Sequence, residues 1–222
     1  MKRPFVFINV ASSVDGKISN EKRVQVKISS PEDFKRVDEL RAKSDAIMVG
    51  IGTVLSDDPR LTVKSEELRF ERVKRGLPPN PLRVVVDSKC RIPLNAKVLD
   101  GSAKTLIAVS KRADFEKVET LRRMGVDVLV CGEEKVDLRG LMKNLYDFGV
   151  RILMVEGGAT LNWALLKERL VDEICVYYGN VIIGGSKSPT IVDGRSFDPP
   201  INLELVEVKR LGSGVLTRWI LK

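Results

Sequence analysis

Short apolar runs alternate with amphipathic stretches along most of the chain. Runs typical of buried strands lie at residues 4–13, 45–50, 82–86, 105–109, 126–130 and 152–155. Stretches with apolar residues at helical spacing lie at residues 31–42, 115–124, 138–146 and 159–170. This alternation predicts parallel strands that are joined by helices.

The helical spacing disappears after Leu170. Strands separated by turns are predicted at residues 172–178, 181–183, 203–211 and 215–221, and Gly212-Ser213-Gly214 is typical of a hairpin. The whole pattern predicts an α/β fold, a three-layer α/β/α sandwich with a mostly parallel sheet and antiparallel C-terminal strands.

The stretch from Lys64 to Pro81 interrupts this pattern. It is charged and then proline-rich, so we expect a surface excursion between two strands. Its cations are predicted to form a solvated face: Arg69, Arg72, Lys74 and Arg75. Because strands resume on both sides, we expect a single domain over residues 1–222.

Composition narrows the possible chemistry. The 222 residues include no histidine, which excludes Ser-His-Asp and Cys-His catalysis and histidine-bound zinc. Cys90, Cys131 and Cys175 are far apart and form no C-x-x-C, so we expect reduced thiols and no metal site. No apolar run approaches the ~20 residues that span a bilayer, and we expect a cytoplasmic protein without a membrane partner.

The formal charge of +8 is compatible with nucleic acid, a membrane surface or anionic small molecules. With 5% aromatic residues the chain is poor in the side chains on which bases stack, so we expect no nucleic-acid partner. The charge favours phosphorylated ligands. A Lys/Arg/Glu-rich surface like that of heat-adapted proteins is the alternative explanation.

Glycines and acids follow several predicted strands. Gly50 and Gly52 begin a stretch that ends in Asp57-Asp58-Pro59, and α/β sheets bind ligands at the carboxyl ends of their strands. A strand-to-helix connection with solvated acids, one of them capping the turn, fits equally well. Asn9 and the small residues after it lie where the first strand is expected to meet a ligand.

Glu156-Gly157-Gly158 is the strongest candidate. Two glycines that follow a strand and open a helix expose backbone N–H groups, which form an anion site for a phosphate or diphosphate. The stretch is neither G-x-G-x-x-G nor a P-loop, and a tight turn is the alternative. A carboxylate at Glu156 needs a ligand or a hydrogen-bond partner, so its role is either structural or functional.

Five blocks carry a resemblance to a known family: D-G-K at 15–17, I-S-S-P-E-D at 28–33, the stretch at 40–63 that ends in D-D-P-R-L-T-V, R-V-V-V-D-S at 83–88, and V-E-G-G-A-T-L-N-W at 155–163. Together they resemble the riboflavin-pathway reductases, whose fold is dihydrofolate-reductase-like. Bifunctional bacterial members carry a zinc deaminase domain in front. This chain looks like the stand-alone archaeal or fungal type, which reduces the pyrimidine before deamination.

The resemblance implies a hydride transfer from NADPH, with NADH as the alternative donor, in a homodimeric enzyme. The substrate would be 2,5-diamino-6-ribosylamino-4(3H)-pyrimidinone 5′-phosphate, whose ribosyl ring opens to an imine and becomes a ribityl chain. One alternative function is that of a related reductase of the same fold that acts on the deaminated pyrimidine or a pterin. A basic nucleic-acid-binding module is the alternative from another class.

The resemblance also implies the site residues. Cofactor contacts would come from Ala11, Thr53, Asp57, Val86, Asp87, Ser88, Cys131, Gly157, Gly158, Ala159, Thr160 and Leu161. Substrate contacts would come from Asn9, Lys27, Arg41, Asp57, Leu61, Lys64 and Glu156. Lys27 and Lys64 depart from the bacterial pattern, which has an aromatic residue and an arginine.

The roles follow from these positions as hypotheses. Asp57 and Glu156 would be the catalytic carboxylates, one of them assisting proton transfer, which would require a raised pKa. Arg41 or Lys64 would hold the 5′-phosphate. Ser110-Lys111-Arg112 is a candidate for the 2′-phosphate of NADPH.

Overall fold

The computed structural model describes residues 2–222. Its strands are β1 (Phe5–Ser12), β2 (Ala46–Gly50), β3 (Leu82–Val86), β4 (Thr105–Val109), β5 (Asp127–Val130), β6 (Ile152–Gly157), β7 (Glu173–Tyr178), β8 (Leu203–Leu211) and β9 (Gly214–Leu221). Its α-helices are α1 (Pro31–Lys43), α2 (Ile51–Asp57), α3 (Glu66–Lys74), α4 (Phe115–Arg123), α5 (Leu138–Asp147) and α6 (Ala159–Lys167). A 3₁₀ turn covers Lys97–Leu99.

The chain divides into two compact units. The first comprises the residues up to Pro4 together with Asp38–Met154. In it β2, β3, β4 and β5 pair in parallel in that order, with Gly50 opposite Val86 and Val86 opposite Ala108. The carboxyl ends of these strands therefore meet at one edge of the sheet.

The second unit comprises Phe5–Val37 and Val155–Lys222. In it β1 pairs in parallel with β7, β7 pairs antiparallel with β9, and β9 pairs antiparallel with β8. The predicted α/β class is confirmed, as are the mostly parallel sheet and the antiparallel C-terminal strands.

The surface excursion predicted after Lys64 contains a helix that was not predicted, α3, most of whose residues are exposed. Ser65 caps the helix by accepting a hydrogen bond from the backbone N–H of Leu68 at 3.2 Å. Arg72 was also misassigned to a solvated face, because it is 2% exposed. Its Nη1 donates to the carbonyls of Ala42 and Ser44, both at 2.8 Å, so the guanidinium ties α3 to the end of α1.

The strand predicted at 181–183 was also wrong, since these residues form a loop. The carboxylate of Asp15 accepts hydrogen bonds from the backbone N–H groups of Ile183 at 3.0 Å and Gly184 at 2.7 Å. Gly184 and Gly185, which follow directly, have φ values of 69° and 81°, so the chain turns where a strand would have to continue.

Candidate active site

Helix α2 begins directly after β2 at the carboxyl edge of the first unit. Thr53 lies half-buried on this helix, and Asp57, its last residue, is exposed. Asp58 adopts a left-handed conformation with φ 42°, and its Oδ1 accepts from the backbone N–H of Lys97 at 2.8 Å. Of the two adjacent acids, Asp58 therefore ends the helix, and Asp57 is the more exposed to solvent.

The residues that follow β3 shape the same edge. The carboxylate of Asp87 is fully buried, and its Oδ2 accepts from the backbone N–H of Ile92 at 2.8 Å. Ser88 Oγ accepts from the N–H of Val136 at 3.0 Å, and its carbonyl accepts from Ser110 Oγ at 2.8 Å. Asp87 and Ser88 thus use their side chains to hold the loops that follow β3 and β5.

Cys131 follows β5 at this edge and is half-buried. Burial raises the pKa of its thiol, with a further contribution from Asp137, so Cys131 is a neutral group here. Gly132 has φ 99°, and a side chain there would collide with the Lys135 carbonyl. The carbonyl of Gly132 accepts from the N–H of Lys111 at 3.0 Å, which joins the loops after β4 and β5.

The predicted substrate residues of the first unit lie on a segment that α1 anchors. Leu61 is 1% exposed, with φ 52°. Arg41 Nη1 donates to the carbonyl of Thr62 at 3.0 Å. The carboxylate of Asp38 accepts from the backbone N–H groups of Lys64 at 2.7 Å and Ser65 at 2.8 Å. Arg41, Leu61 and Lys64 are therefore brought together.

In the second unit, β6 ends in Glu156, which is half-buried, and in Gly157, which is buried and has φ 107°. Gly158 is the N-cap of α6 and contributes no side-chain cap, so the first-turn N–H groups are not satisfied by a capping side chain. Ala159 and Leu161 are buried, whereas Thr160 is exposed. This end of the nine-residue helix has the donors and the dipole direction of an anion site.

Asn9 and Ala11 lie two residues apart on β1 and so share one face of the strand. Asn9 is 6% exposed, and its Oδ1 accepts from Arg36 Nη2 at 2.8 Å. Lys27 is exposed in the irregular stretch before α1. The second unit thus contains Asn9, Ala11, Lys27, Glu156 and residues 157–161, and the first unit contains the other predicted site residues.

Arg36 contacts the predicted site residue Asn9, and the sequence analysis did not identify Arg36. Its position three residues after Asp33 on α1 is the only local signal, and such pairs are common on helix surfaces.

Within residues 2–222 no three His, Cys, Asp or Glu side chains are grouped so that they could hold a metal ion. Over the same residues, none of the helices is both long and apolar enough to cross a membrane.

A family model for the RibD C-terminal domain matches residues 4–217. The chain belongs to the RibD C-terminal domain family. The 2,5-diamino-6-ribosylamino-4(3H)-pyrimidinone 5′-phosphate reductase of Archaeoglobus fulgidus is 58% identical over 212 residues, which cover 96% of this chain and 95% of that protein. The predicted riboflavin-pathway family is thereby confirmed.

Solved structures agree with this family. RibD of Acinetobacter baumannii superposes with a TM-score of 0.81 at 26% identity, over 99% of this chain. The match covers 58% of that RibD chain. A dihydrofolate reductase of Enterococcus faecalis gives a TM-score of 0.53 at 13% identity over 98% of this chain, which confirms the dihydrofolate-reductase-like fold of this RibD domain.

Proposed function

We propose that this protein reduces 2,5-diamino-6-ribosylamino-4(3H)-pyrimidinone 5′-phosphate to its ribityl form in riboflavin biosynthesis. The observation that carries the proposal is the 58% identity to the Archaeoglobus fulgidus reductase along nearly the whole of both chains. The reaction adds a hydride to C1′ of the open-chain imine and a proton to the attached nitrogen, so one nicotinamide cofactor is oxidised per turnover.

The proposed hydride donor is NADPH, which supplies the hydride when it is bound. The uncapped first turn of α6 suits its diphosphate, because backbone N–H groups and the helix dipole both favour negative charge. Thr53, Val86, Ser88 and Cys131 would contribute the further contacts that the resemblance implies. The assay described below, run with each cofactor, measures whether NADH can replace NADPH.

The substrate would be held by side chains from the cluster of Arg41, Leu61 and Lys64, with a cation on the 5′-phosphate. Asp57 and Glu156 would bind the diaminopyrimidine or the sugar hydroxyls, and one of them would pass the proton to the imine nitrogen. Their role as proton donors is separable from binding, because an amide keeps the hydrogen bonds and cannot supply the proton.

A direct assay tests the proposal. Purified protein is mixed with the pyrimidinone phosphate and NADPH, and the loss of NADPH absorbance is followed. The mass of the product is then measured by mass spectrometry. We expect NADPH loss that depends on the substrate, and a product that has gained one hydride and one proton. No turnover with this substrate but turnover with the deaminated pyrimidine would replace the proposal with the alternative substrate.

The carboxylates are tested in the same assay with Asp57→Asn and Glu156→Gln. We expect the variant at the proton donor to lose about 100-fold or more in kcat, within the range of general acid catalysis. If both variants kept full kcat, Asp57 and Glu156 would be binding groups only.

We further propose a homodimer. The hairpin β8–β9 has exposed apolar residues, and β8 pairs with no strand of the second unit other than β9. The predicted cytoplasmic location also belongs to this proposal, and the three free cysteines are compatible with it.

A further inference from the structure

A buried chain of polar side chains runs from the start of α1 to β1 in the second unit. Ser29 Oγ donates to Asp33 Oδ2 at 2.6 Å, Arg36 Nε donates to Asp33 Oδ1 at 2.9 Å, and Arg36 Nη2 donates to Asn9 Oδ1 at 2.8 Å. The side chains of Asp33 and Arg36 are 1% and 14% exposed. Because charges removed from water need close hydrogen-bond partners, Asp33 holds Arg36 in this position.

The contact with Arg36 fixes the orientation of the Asn9 amide. A guanidinium only donates, so the Asn9 atom beside Nη2 has to be the carbonyl oxygen, and the amide NH₂ is turned away from Arg36. Within residues 2–222 the Asn9 side chain makes no further hydrogen bond. Asn9 therefore offers N–H donors whose direction Arg36 sets.

On the β7 side of β1, the charged groups opposite Asn9 are already paired with one another. Cys175 lies opposite Asn9 on β7, and its thiol donates to Glu173 at 3.3 Å. Burial raises the pKa of Cys175 to about 12, so the thiol stays neutral. Glu173 in turn pairs with Arg218 at 2.9 Å, which occupies its other carboxylate oxygen.

We propose that Arg36 is a positioning residue for substrate binding: it holds the Asn9 amide so that Nδ2 donates to an acceptor atom of the pyrimidinone, a carbonyl oxygen or a ring nitrogen. Arg36 itself touches Asn9 and Asp33 and not the substrate. This inference rests on the proposed function, because it takes Asn9 as a substrate contact.

A double-mutant cycle of Asn9→Ala and Arg36→Met tests the proposal in the NADPH assay. We expect Asn9→Ala to raise KM for the pyrimidinone phosphate about tenfold, as for one lost hydrogen bond, with KM for NADPH unchanged. Arg36→Met should raise the same KM several-fold in the wild-type background. In the Asn9→Ala background it should have no further effect, because its action passes through Asn9.

Two conservative variants sharpen the test. Arg36→Lys keeps a donor beside Asn9 and a cation beside Asp33. We therefore expect its KM for the substrate to lie closer to the wild-type value than to that of Arg36→Met. Asn9→Asp keeps the shape but has no N–H donor when ionised, so we expect a loss at least as large as that of Asn9→Ala. Thermal melting of each variant shows whether it is folded.

The outcomes separate the two proposals. If the wild type turns over but Arg36→Met raises the substrate KM by the same factor in both backgrounds, Arg36 has a structural role only and the inference is overturned. A wild type without activity on the pyrimidinone phosphate overturns the proposed function and this inference with it.

Discussion

Asp15 shows how one surface carboxylate holds a loop in place. Ser13 Oγ donates to it at 2.6 Å, and the N–H groups of Ile183 and Gly184 donate to it as well. The Ser13 hydroxyl, followed by the backbone of Ile183, lowers the pKa of Asp15 from 3.8 to about 2. Since the folded-state pKa is the lower one, the ionised carboxylate stabilises the fold above about pH 4, and this contribution disappears as the pH falls toward 2.

We therefore expect Asp15→Asn to melt at a lower temperature than the wild type at pH 6, because the amide cannot accept on both sides. The difference should shrink as the pH is lowered from 4 to 2, since the wild-type carboxylate then becomes protonated. Thermal melts across this pH range measure it. Asp127→Asn, at an exposed acid that starts β5, is the control, and a difference for Asp15→Asn that does not change with pH would contradict the role.

Positions that the local sequence sets were predictable, and contacts between residues far apart in the chain were not. Glu156 and Gly157 end a strand shortly before a helix begins, a position that the sequence displays directly. Arg36 acts on a residue 27 positions away and Asp15 on one 168 positions away, and neither pairing leaves a periodic signal. The sequence therefore missed Arg36, whose proposed role is to position Asn9.

At the scale of the element, β3 and β4 were predicted with their observed bounds, because a short run of mostly apolar, β-branched residues is typical of a strand buried on both faces. Helix α3 was missed although it has a serine cap, acids in its first turn and cations in its last. Its buried position is filled by Arg72 and not by an apolar residue, so the pattern of apolar positions carries little signal.

The loops after β4 and β5 carry the proposed contact for the 2′-phosphate of NADPH. Lys111 pairs with Glu133 at 2.7 Å and Arg112 with Glu134 at 2.8 Å, and all four side chains are exposed. Such surface pairs contribute little to stability, so both cations can turn to a phosphate at small cost.

We expect Lys111→Ala with Arg112→Ala to raise KM for NADPH about tenfold or more and to leave KM for NADH unchanged, since NADH lacks the 2′-phosphate. Steady-state kinetics with the two cofactors measure this split. Arg122→Ala is a matched control, because Arg122 forms an exposed pair of the same kind with Glu119 on α4. An equal change for both cofactors would place the 2′-phosphate elsewhere.

At the scale of the whole molecule, the C-terminal hairpin has two unlike faces. Leu203, Leu205 and Val208 on β8 lie opposite alternate residues of β9 and therefore share a face, with exposures of 39%, 47% and 58%. The other face carries ion pairs, among them Arg218 with Glu207 at 3.3 Å. An exposed apolar sheet face beside an edge strand favours aggregation unless it is covered.

A second copy of the chain is the proposed cover, because a two-fold axis brings the same apolar face of each hairpin together. We expect the wild type to sediment as a dimer and Val208→Glu to sediment as a monomer, since two carboxylates would otherwise be buried against each other without partners. Phe70→Glu, at an exposed apolar residue of α3, should leave the dimer intact. A wild-type monomer at micromolar concentration, or a dimer that tolerates Val208→Glu, would show that the hairpin face is not the interface.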